Sequence, residues 1–243
     1  MGVELYSLAE RPDLGVHPSR NDLFSVWSEF LLHDPVVNEH IGRLWTELPE
    51  FQTIAYDPDA DLVLGEGDTV PVRWSGEPEP GGIDWALRQQ VVEGGEPTTL
   101  CAVQVMINAD AQGRGLSRLV LERMASVARD HGLDALIAPV RPTQKHHYPL
   151  IPMEQFIEWR RDDGELFDPW LRTHERLGAS ILAVAPESMT VPGSRADWEE
   201  WTGLQFPIDG DYVVPGALVP VHVEDGHGVY REPCVWLRHD VVR

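Results

Sequence analysis

The sequence feature that most constrains the fold is a strand, a glycine turn, a helix and a second strand in direct succession near the middle of the chain. Residues 100–107 form a nearly continuous apolar run, which is typical of a strand buried on both faces. A polar turn at 108–115 leads into residues 116–131, where apolar side chains recur at helical spacing up to Gly132. A second apolar run follows at 135–140. This order predicts a right-handed βαβ crossover in an α/β domain.

The other elements are predicted from shorter patterns. Alternating and helical spacings predict strands at 3–8, 51–56, 62–74, 181–184, 212–223 and 229–237, and helices at 22–32, from about 35 to 48, and at 83–92, 153–161 and 168–177. Residues 143–167 would interrupt a compact core, so we interpret them as an inserted flap. Since no linker or repeat divides the chain, a single domain over residues 1–243 is predicted.

Acidic side chains outnumber basic ones by about two to one. The 243 residues include forty Asp and Glu and nineteen Lys and Arg. The net charge of the chain is therefore −21 at pH 7. A surface of this sign repels phosphate backbones, which disfavours general nucleic-acid binding, and it attracts a cationic small molecule or a basic peptide. Residues 101–150 have the opposite sign, with six basic and four acidic side chains. If an anion binds this protein, this segment, which contains the glycine turn, is therefore the expected place.

Several classes of protein are disfavoured by what the sequence lacks. No apolar run approaches the roughly 20 residues that a membrane span needs, and the N-terminus does not resemble a secretion signal. Cys101 and Cys234 are too few for a disulfide framework or a zinc site. His146 and His147 are adjacent, and adjacent side chains of an extended segment point to opposite faces, so no metal site is predicted. The expectation is a reduced, cytoplasmic protein without membrane contact.

The glycine turn has the chemistry of a diphosphate-binding loop. Its sequence, from residue 112 to residue 117, is Gln-Gly-Arg-Gly-Leu-Ser, between a buried strand and a helix N-terminus. Glycines let the backbone approach a ligand, and the free N–H groups, the helix dipole and Arg114 attract an anion. A plain strand-to-helix turn that needs two glycines is the other interpretation. A P-loop ending is absent, and Arg118 replaces the third glycine of the dinucleotide fingerprint.

This turn resembles the signature of the GCN5-related N-acetyltransferase (GNAT) superfamily, Gln/Arg-x-x-Gly-x-Gly/Ala. Gln112, Gly115 and Ser117 occupy the patterned positions, with serine in place of glycine or alanine. A helix that ends at Leu177-Gly178 before a strand is similar to a second family feature. The resemblance implies an α/β fold with a GNAT-like mixed, mostly antiparallel central sheet flanked by helices. It also implies an acyltransferase that transfers an acetyl group from acetyl-CoA to an amine of a small molecule or peptide by direct attack.

The resemblance also assigns parts of acetyl-CoA to named residues. The pantetheine would lie along Val105, Met106 and Ile107, where one backbone N–H would stabilise the oxyanion that forms on attack. Simple core packing is the other interpretation of these strand residues, and both can hold at once. The pyrophosphate would be held by backbone N–H groups of the turn, namely those of Gln112, Gly113, Arg114, Gly115, Leu116, Ser117 and Arg118.

His174 is predicted to be catalytic, because it occupies the position at which the family often has a tyrosine that protonates the leaving thiolate. An imidazolium with a pKa near ~6.5 can donate that proton. An ordinary exposed helix residue is the other interpretation. Trp159 and Trp170 flank the flap and are the tryptophans that we would test for substrate contact. The general base is left open among a water chain and Glu66, Asp68, His146, His147, Tyr148, Glu154 and Glu158.

Two alternatives to acetyl transfer remain at this level. Ser117 and His174 depart from the family pattern, which favours a degenerate CoA-binding regulatory module. A flap at 143–167 that shapes a tunnel would instead favour a longer acyl-CoA. The sequence leaves open the acceptor and the oligomeric state, including a homodimer.

Overall fold

The computed structural model describes residues 2–89 and 96–241 of the chain. Within them, nine strands and six α-helices follow one another along the sequence. The strands are β1 (Glu4–Ser7), β2 (Thr53–Asp57), β3 (Leu62–Val72), β4 (Thr99–Ile107), β5 (Ala135–Val140), β6 (Ser180–Ser194), β7 (Gly210–Tyr212), β8 (Val221–Glu224) and β9 (His227–Asp240). The helices are α1 (Pro35–Glu47), α2 (Gly82–Gln89), α3 (Leu116–Asp130), α4 (Met153–Phe156), α5 (Pro169–Arg176) and α6 (Arg195–Thr202).

The nine strands form one mixed, mostly antiparallel sheet. Its order is β1-β2-β3-β4-β5-β9-β8-β7, and β6 also pairs with β9. Among the described strands, β4 and β5 are the parallel neighbours, and α3 connects them. Parallel neighbours need such a crossover connection, whereas antiparallel strands can be joined by short turns. The predicted α/β class and the βαβ crossover are therefore confirmed.

Hydrophobic cores cover both faces of this sheet. Consecutive residues of β4 alternate between them: Leu100 and Ala102 join the core under α3 and α5, whereas Cys101 and Val103 join the core under α1, α2 and α6. This alternation is the period of a strand that is buried on both sides. The apolar run at 100–107 therefore arises from two buried faces, as predicted.

The helix α3 packs closely on the sheet because Gly67 of β3 has no side chain. A Cβ at that position would lie 2.4 Å from the Cε of Met124 and 2.5 Å from the Cγ1 of Val120. Both of these residues belong to α3. The close approach fixes the axis of α3 and so positions its N-terminus beside the end of β4.

The strands β4 and β5 are paired over only two residues each in the described structure. Their paired register consists of Leu100 opposite Leu136 and Cys101 opposite Ile137. Beyond these two pairs, each strand keeps its outer neighbour, β3 for β4 and β9 for β5. The carboxyl-terminal halves of β4 and β5 are therefore not joined to each other in the described ladder.

A β-bulge in β4 accompanies this separation. Asp68 of β3 pairs with Gln104, and the next residue, Thr69, pairs with Ala102, which leaves Val103 as an extra residue on β4. A bulge bends its strand and increases the local twist. The bend occurs where β4 leaves β5, so it opens a gap in the middle of the sheet.

The α-helix predicted at 22–32 is wrong. This stretch lies in two 3₁₀-helices, Pro18–Val26 and Glu29–His33, with extended backbone between them. Leu23 packs in a core with residues of β2 and β3, whereas Phe30 joins the core under α1 and α2. A continuous helix could not bury both side chains in separate cores, so tertiary packing overrides the local spacing.

Other element boundaries also differ from the sequence prediction. The strand predicted at 212–223 is two strands, β7 and β8, because Pro215 and Pro220 lie in the connection. The helix at 153–161 ends at Phe156, and α6 was missed although Ser194 and Asp197 form a capping box. The helix at 83–92 is observed as α2, and residues 90–92 lie outside the described residues. No helix in the described ranges is both long and apolar enough to cross a membrane.

The segment 143–167 folds around its own aromatic side chains. The ring centroids of Tyr148 and Trp159 lie 4.8 Å apart, and those of Trp159 and Phe167 lie 5.6 Å apart. Phe156 completes this cluster and is buried in the core under α3. The segment is therefore packed onto the α3 face of the sheet. Its role as an inserted flap stays a prediction.

Candidate active site

A cavity of about 840 Å³ occupies the gap between β4 and β5. On the face of the sheet that carries α3, Leu121 and Trp170 line it. On the opposite face, Leu31 and Ile83 line it. The gap in the sheet therefore connects the two faces through one continuous space, large enough for an extended small molecule.

The mouth of the cavity on the α3 side is the predicted glycine turn. Gly113 and Gly115 have φ angles of +74° and +78°, a left-handed backbone that favours glycine. A Cβ built on either glycine meets no heavy atom within 4 Å, so the space in front of the turn is open. No side chain caps the N-terminus of α3. Its first amides are therefore available to an anion, with the positive end of the helix dipole behind them.

Seven of the ten predicted acetyl-CoA residues line this cavity. They are Val105, Ile107, Gln112, Gly113, Gly115, Leu116 and Ser117. The side chain of Gln112 turns back and donates to the carbonyl oxygen of Ile107 at 3.4 Å, which ties the turn to the end of β4. The turn and the strand end thus form one continuous wall.

The side chains of Met106, Arg114 and Arg118 are not among the lining groups. Met106 is buried on the opposite side of β4, in the core with residues of β2 and β3. Arg118 makes an ion pair with Glu122 one turn further along α3, at 2.9 Å. Arg114 is exposed. The roles predicted for Arg114 and Arg118 rest on backbone N–H groups, and these roles stay predictions.

The helix α5 places His174 in the wall of the cavity. Asp168 caps the helix by accepting hydrogen bonds from the N–H groups of Trp170 and Leu171, and Pro169 occupies the first turn. His174 is 1% exposed and lines the cavity beside Trp170, whose ring centroid lies 4.4 Å away. The interpretation of His174 as an exposed helix residue is therefore wrong.

A second histidine contacts His174 from the sheet. The Nδ1 of His174 lies 2.9 Å from the Nε2 of His239 on β9. The Nε2 of His174 is buried without a hydrogen-bond partner in the described structure. Burial, together with the neighbouring His239, holds the pKa of His174 well below its usual value. The imidazolium predicted from the sequence is therefore disfavoured at neutral pH.

The opposite end of the cavity is lined by an ion pair whose carboxylate is fully buried. Arg141, at the end of β5, donates through Nε to the carboxylate of Glu232 at 2.9 and 3.0 Å, and through a terminal nitrogen to the carbonyl oxygen of Gly216. The Glu232 side chain is fully buried and also accepts the hydroxyl proton of Tyr230 at 2.8 Å. Arg141, Gly216 and Glu232 all line the cavity. This end therefore offers fixed polar groups to a substrate.

The general-base candidates of the β3 strand lie behind the cavity wall. Glu66 pairs with Arg20 at 2.6 Å, and both are buried. Asp68 accepts hydrogen bonds from the side chains of Trp45 and Gln104. Burial, and secondarily the charge of Glu66, raises the pKa of Asp68 well above its usual range. Of these residues, Gln104 alone is among the groups that line the cavity.

The general-base candidates of the flap are mostly remote from the cavity. His146 lines it, whereas Glu154 and Glu158 are exposed and His147 and Tyr148 are not lining residues. His146 and His147 lie on a 3₁₀ turn and their ring centroids are 3.9 Å apart, so the extended segment assumed for them is wrong. In the described residues, no group of three or more His, Cys, Asp or Glu side chains could hold a metal ion.

Three residues of the cavity region were missed by sequence reasoning: Arg141, Glu232 and His239. Arg141 and Glu232 are 91 residues apart in the chain, and His174 and His239 are 65 apart. The antiparallel pairing of β5 with β9 brings Arg141 to Glu232, and the pairing of β6, which follows α5, with β9 brings His174 to His239. No local motif marks them, so the topology of the sheet was needed to find them. Of the two tryptophans expected at the substrate, Trp170 lines the cavity and Trp159 does not.

Comparisons with known proteins give one sequence relative and several structural ones. No family model matches the chain. The arginine N-acetyltransferase avaD of Aspergillus versicolor is 28% identical over 275 residues, which covers 99% of this chain and 94% of the relative. This similarity therefore extends over nearly the whole of both chains.

Solved structures share the fold at low sequence identity. The loading GNATL domain of CurA from Lyngbya majuscula matches with a TM-score of 0.60 and 19% identity, over 99% of this chain and 98% of that one. The GphF GNAT-like decarboxylase in complex with isobutyryl-CoA matches with a TM-score of 0.55 and 14% identity, over all of both chains. At such identities the likeness shows the fold and not the activity. With its mixed sheet and the glycine turn before α3, this chain has the fold of GNAT-like proteins, and over nearly its whole length it is similar in sequence to an N-acetyltransferase.

Proposed function

We propose that this protein transfers an acetyl group from acetyl-CoA to an amine of a small molecule or peptide. The observation that carries the proposal is the continuous cavity through the gap between β4 and β5. It runs from the open N-terminus of α3, past His174, to the polar end at Arg141 and Glu232. Such a passage lets a thioester enter from one face of the sheet and an amine from the other.

The residues at the α3 end fit acetyl-CoA. The open space in front of Gly113 and Gly115 leaves room for a pyrophosphate against the first amides of α3. The inner edge of β4 beyond Cys101 is not paired with β5, so its backbone groups at Val105 and Ile107 can bind the amides of the pantetheine arm. A strand N–H in this stretch would polarise the thioester carbonyl and stabilise the oxyanion.

The amine enters from the other side of the gap. Trp27, Ser28, Arg141 and Glu232 line that part of the cavity. The relative named as an arginine N-acetyltransferase and the net charge of −21 both support a basic small molecule as the acceptor. The amine attacks the thioester directly, without an acyl-enzyme, and His174 handles a proton near the reacting atoms.

The test is the release of CoA thiol from acetyl-CoA in the presence of an amine panel. The panel contains arginine, other basic amino acids, polyamines and basic peptides, and mass spectrometry identifies the acetylated product. Thiol release with at least one amine, with a product of matching mass, supports the proposal. Tight CoA binding by calorimetry without thiol release for any amine would favour the regulatory module instead, and a faster reaction with longer acyl-CoA would favour the other acyltransferase.

We also propose that the protein is cytoplasmic and does not bind nucleic acid. Both cysteines are free and buried, which supports a reducing, cytoplasmic location. The acidic charge supports a partner other than nucleic acid. A single domain, no membrane contact and a homodimer stay predictions. Sedimentation of the purified chain at several concentrations would test the homodimer.

A further inference from the structure

We propose that His239 fixes the tautomer of His174, so that the Nε2 of His174 acts as a proton acceptor that relays a proton from the attacking amine to the leaving sulfur. This inference rests on the proposed transferase function. It reverses the polarity that the sequence suggested, because the family tyrosine at this position is a proton donor. His239 is a positioning residue in this scheme, since it acts through His174.

The hydrogen-bond chain starts at the backbone of Leu177. The N–H of Leu177 already donates to the carbonyl oxygens of Thr173 and His174. Leu177 can therefore offer His239 only its carbonyl oxygen, and a backbone hydrogen bond between Leu177 and the His239 ring raises the pKa of that ring, as an accepting carbonyl does. Because the Nε2 of His239 faces His174, the nitrogen that donates to Leu177 is Nδ1.

A neutral imidazole has one N–H and one acceptor nitrogen. If the Nδ1 of His239 carries the proton, its Nε2 is an acceptor, and the Nδ1 of His174 must donate to it across the 2.9 Å separation. The Nε2 of His174 is then a bare acceptor nitrogen. This is the one that is buried in the cavity wall without a partner.

The opposite tautomer pair is less favourable. His239 would then donate to His174 through Nε2, and the lone pair of its Nδ1 would face the carbonyl oxygen of Leu177. His174 would also bury an N–H at Nε2 with no acceptor among the described residues. This tautomer pair leaves two buried polar groups without a hydrogen bond, whereas the first pair leaves one. Each buried unsatisfied group costs about 1–3 kcal/mol.

The surroundings keep both rings neutral and in place. Burial lowers the pKa of His174 and of His239. Trp170 packs edge-on against His174. His239 lies on β9, between β5 and β6, and pairs there with Leu136. A side chain on an interior strand has little freedom, so it can set the orientation of its partner.

The proton transfer balances without another reactant. The amine nitrogen forms a bond to the thioester carbon, and the proton released from that nitrogen moves to the Nε2 of His174. The C–S bond breaks with its electron pair on sulfur, and the same proton passes from Nε2 to sulfur. The products are the amide and CoA thiol, and His174 returns to its neutral form.

The first experiment reads the tautomer directly and does not depend on turnover. Long-range ¹H–¹⁵N spectra of the full chain at neutral pH, assigned with His174→Gln and His239→Gln variants, show which ring nitrogen carries the proton. We expect a protonated Nδ1 and an unprotonated Nε2 on His174. A protonated Nε2 on His174 would overturn the inference even if the wild-type protein acetylates an amine.

The second experiment separates positioning from mere packing. We expect His239→Leu to lower kcat by about 10-fold or more with little change in the KM for acetyl-CoA, whereas His239→Gln, which can still accept the Nδ1 proton, retains most of kcat. In a His174→Gln background, His239→Leu should cause no further loss. The exposed His222→Leu is the matched control.

Equal losses in His239→Leu and His239→Gln, or additive losses in the double variant, would overturn the role of His239. Wild-type protein that releases no thiol with any amine would contradict the proposed function instead. The tautomer measured by spectroscopy would then still decide whether His239 fixes His174.

Discussion

Gly115 and Gly132 occupy equivalent left-handed positions at opposite ends of α3, with φ angles of +78° and +70°. A Cβ on either glycine meets no heavy atom within 4 Å, so the two positions differ in what lies in front of them rather than in packing. Gly115 faces the cavity mouth, and Gly132 follows the helix C-terminus. Comparing the same substitution at the two glycines therefore separates the loss of ligand contact from the effect of backbone strain.

We expect Gly115→Trp to weaken acetyl-CoA binding by at least about 100-fold, a loss of ~3 kcal/mol, because the indole fills the space that a pyrophosphate needs. Gly132→Trp should leave the affinity unchanged. Both variants should lose about 1–2 kcal/mol of stability, the cost of a non-glycine residue in the left-handed region. Calorimetric titration with acetyl-CoA measures the affinity, and equal affinities for both variants would contradict a pyrophosphate site at this turn.

This contrast also explains what the sequence could predict. The turn at 112–117 depends on glycines and on free amides at a helix start, and both are local properties that a short motif carries. The alternation of Leu100 and Cys101 between two cores is equally local. For such features, the chain segment itself contains the physical cause.

The contacts between side chains of the cavity wall that are distant in sequence could not be predicted from local patterns. Glu232 reaches Arg141 because β9 lies beside β5, and His239 reaches His174 because β9 also lies beside β6, the strand that follows α5. The 3₁₀ geometry at 22–32 likewise depends on which core takes each side chain. These properties are set by strand order and register, which no single window of sequence specifies.

The pH dependence of kcat should show whether His174 acts as a base or as an acid. Its pKa lies well below the usual ~6.5 because the ring is buried, and His239 is the titratable side chain in contact with it. The neutral, active form is then fully present above this pKa and is lost only as pH falls through it. We therefore expect the ratio of kcat for wild type to kcat for His174→Gln to be constant from neutral to alkaline pH and to fall in acid.

The ionisation of the acceptor amine affects kcat of both proteins equally, so its effect cancels in the ratio of the two kcat values. We expect the wild type to be faster by about 100-fold on the plateau, within the range of general acid–base catalysis. A ratio that instead declines as pH rises through about 6.5 would indicate that protonated His174 is the active form. Stopped assays of thiol release at saturating acetyl-CoA and amine provide the measurement.

Asp84 should make the fold less stable at alkaline pH. Its side chain is 3% exposed, and one of its carboxylate oxygens has no hydrogen-bond partner in the described structure. Burial, and then the neighbouring Asp34, raises its pKa from 3.8 to about 8. Between these two values the folded protein binds more protons than the unfolded chain, so the free energy of unfolding falls as pH rises through this window.

Asp84→Asn removes the buried charge. We expect this variant to be more stable than wild type by about 1–3 kcal/mol at pH near 9, the cost of an uncompensated buried polar group, and to gain little at pH near 4. Urea unfolding at both pH values measures the difference, with the exposed Asp22→Asn as the control. A gain that is independent of pH would show that Asp84 is ionised in the folded protein throughout.

Breaking the ion pair of Arg141 and Glu232 should cost more stability than breaking an exposed ion pair. The Arg141 side chain is 19% exposed and that of Glu232 is fully buried. Glu232→Gln leaves the guanidinium without its charged partner, which costs about 3–5 kcal/mol for a buried pair. The exposed pair of Arg43 and Glu47 on α1 is the matched control, and Glu47→Gln there should cost only about 0.2–0.5 kcal/mol.

The double variant Arg141→Met with Glu232→Leu decides whether the pair serves stability or substrate binding. Replacing both charges by apolar groups of similar size removes the desolvation cost together with the attraction, so we expect most of the stability lost in Glu232→Gln to return. The KM for the amine should nevertheless stay raised, because both residues line the end of the cavity that we propose for the acceptor. Urea unfolding and steady-state kinetics on the same preparations separate the two effects. Recovery of both stability and the KM would contradict a role for this pair in acceptor binding.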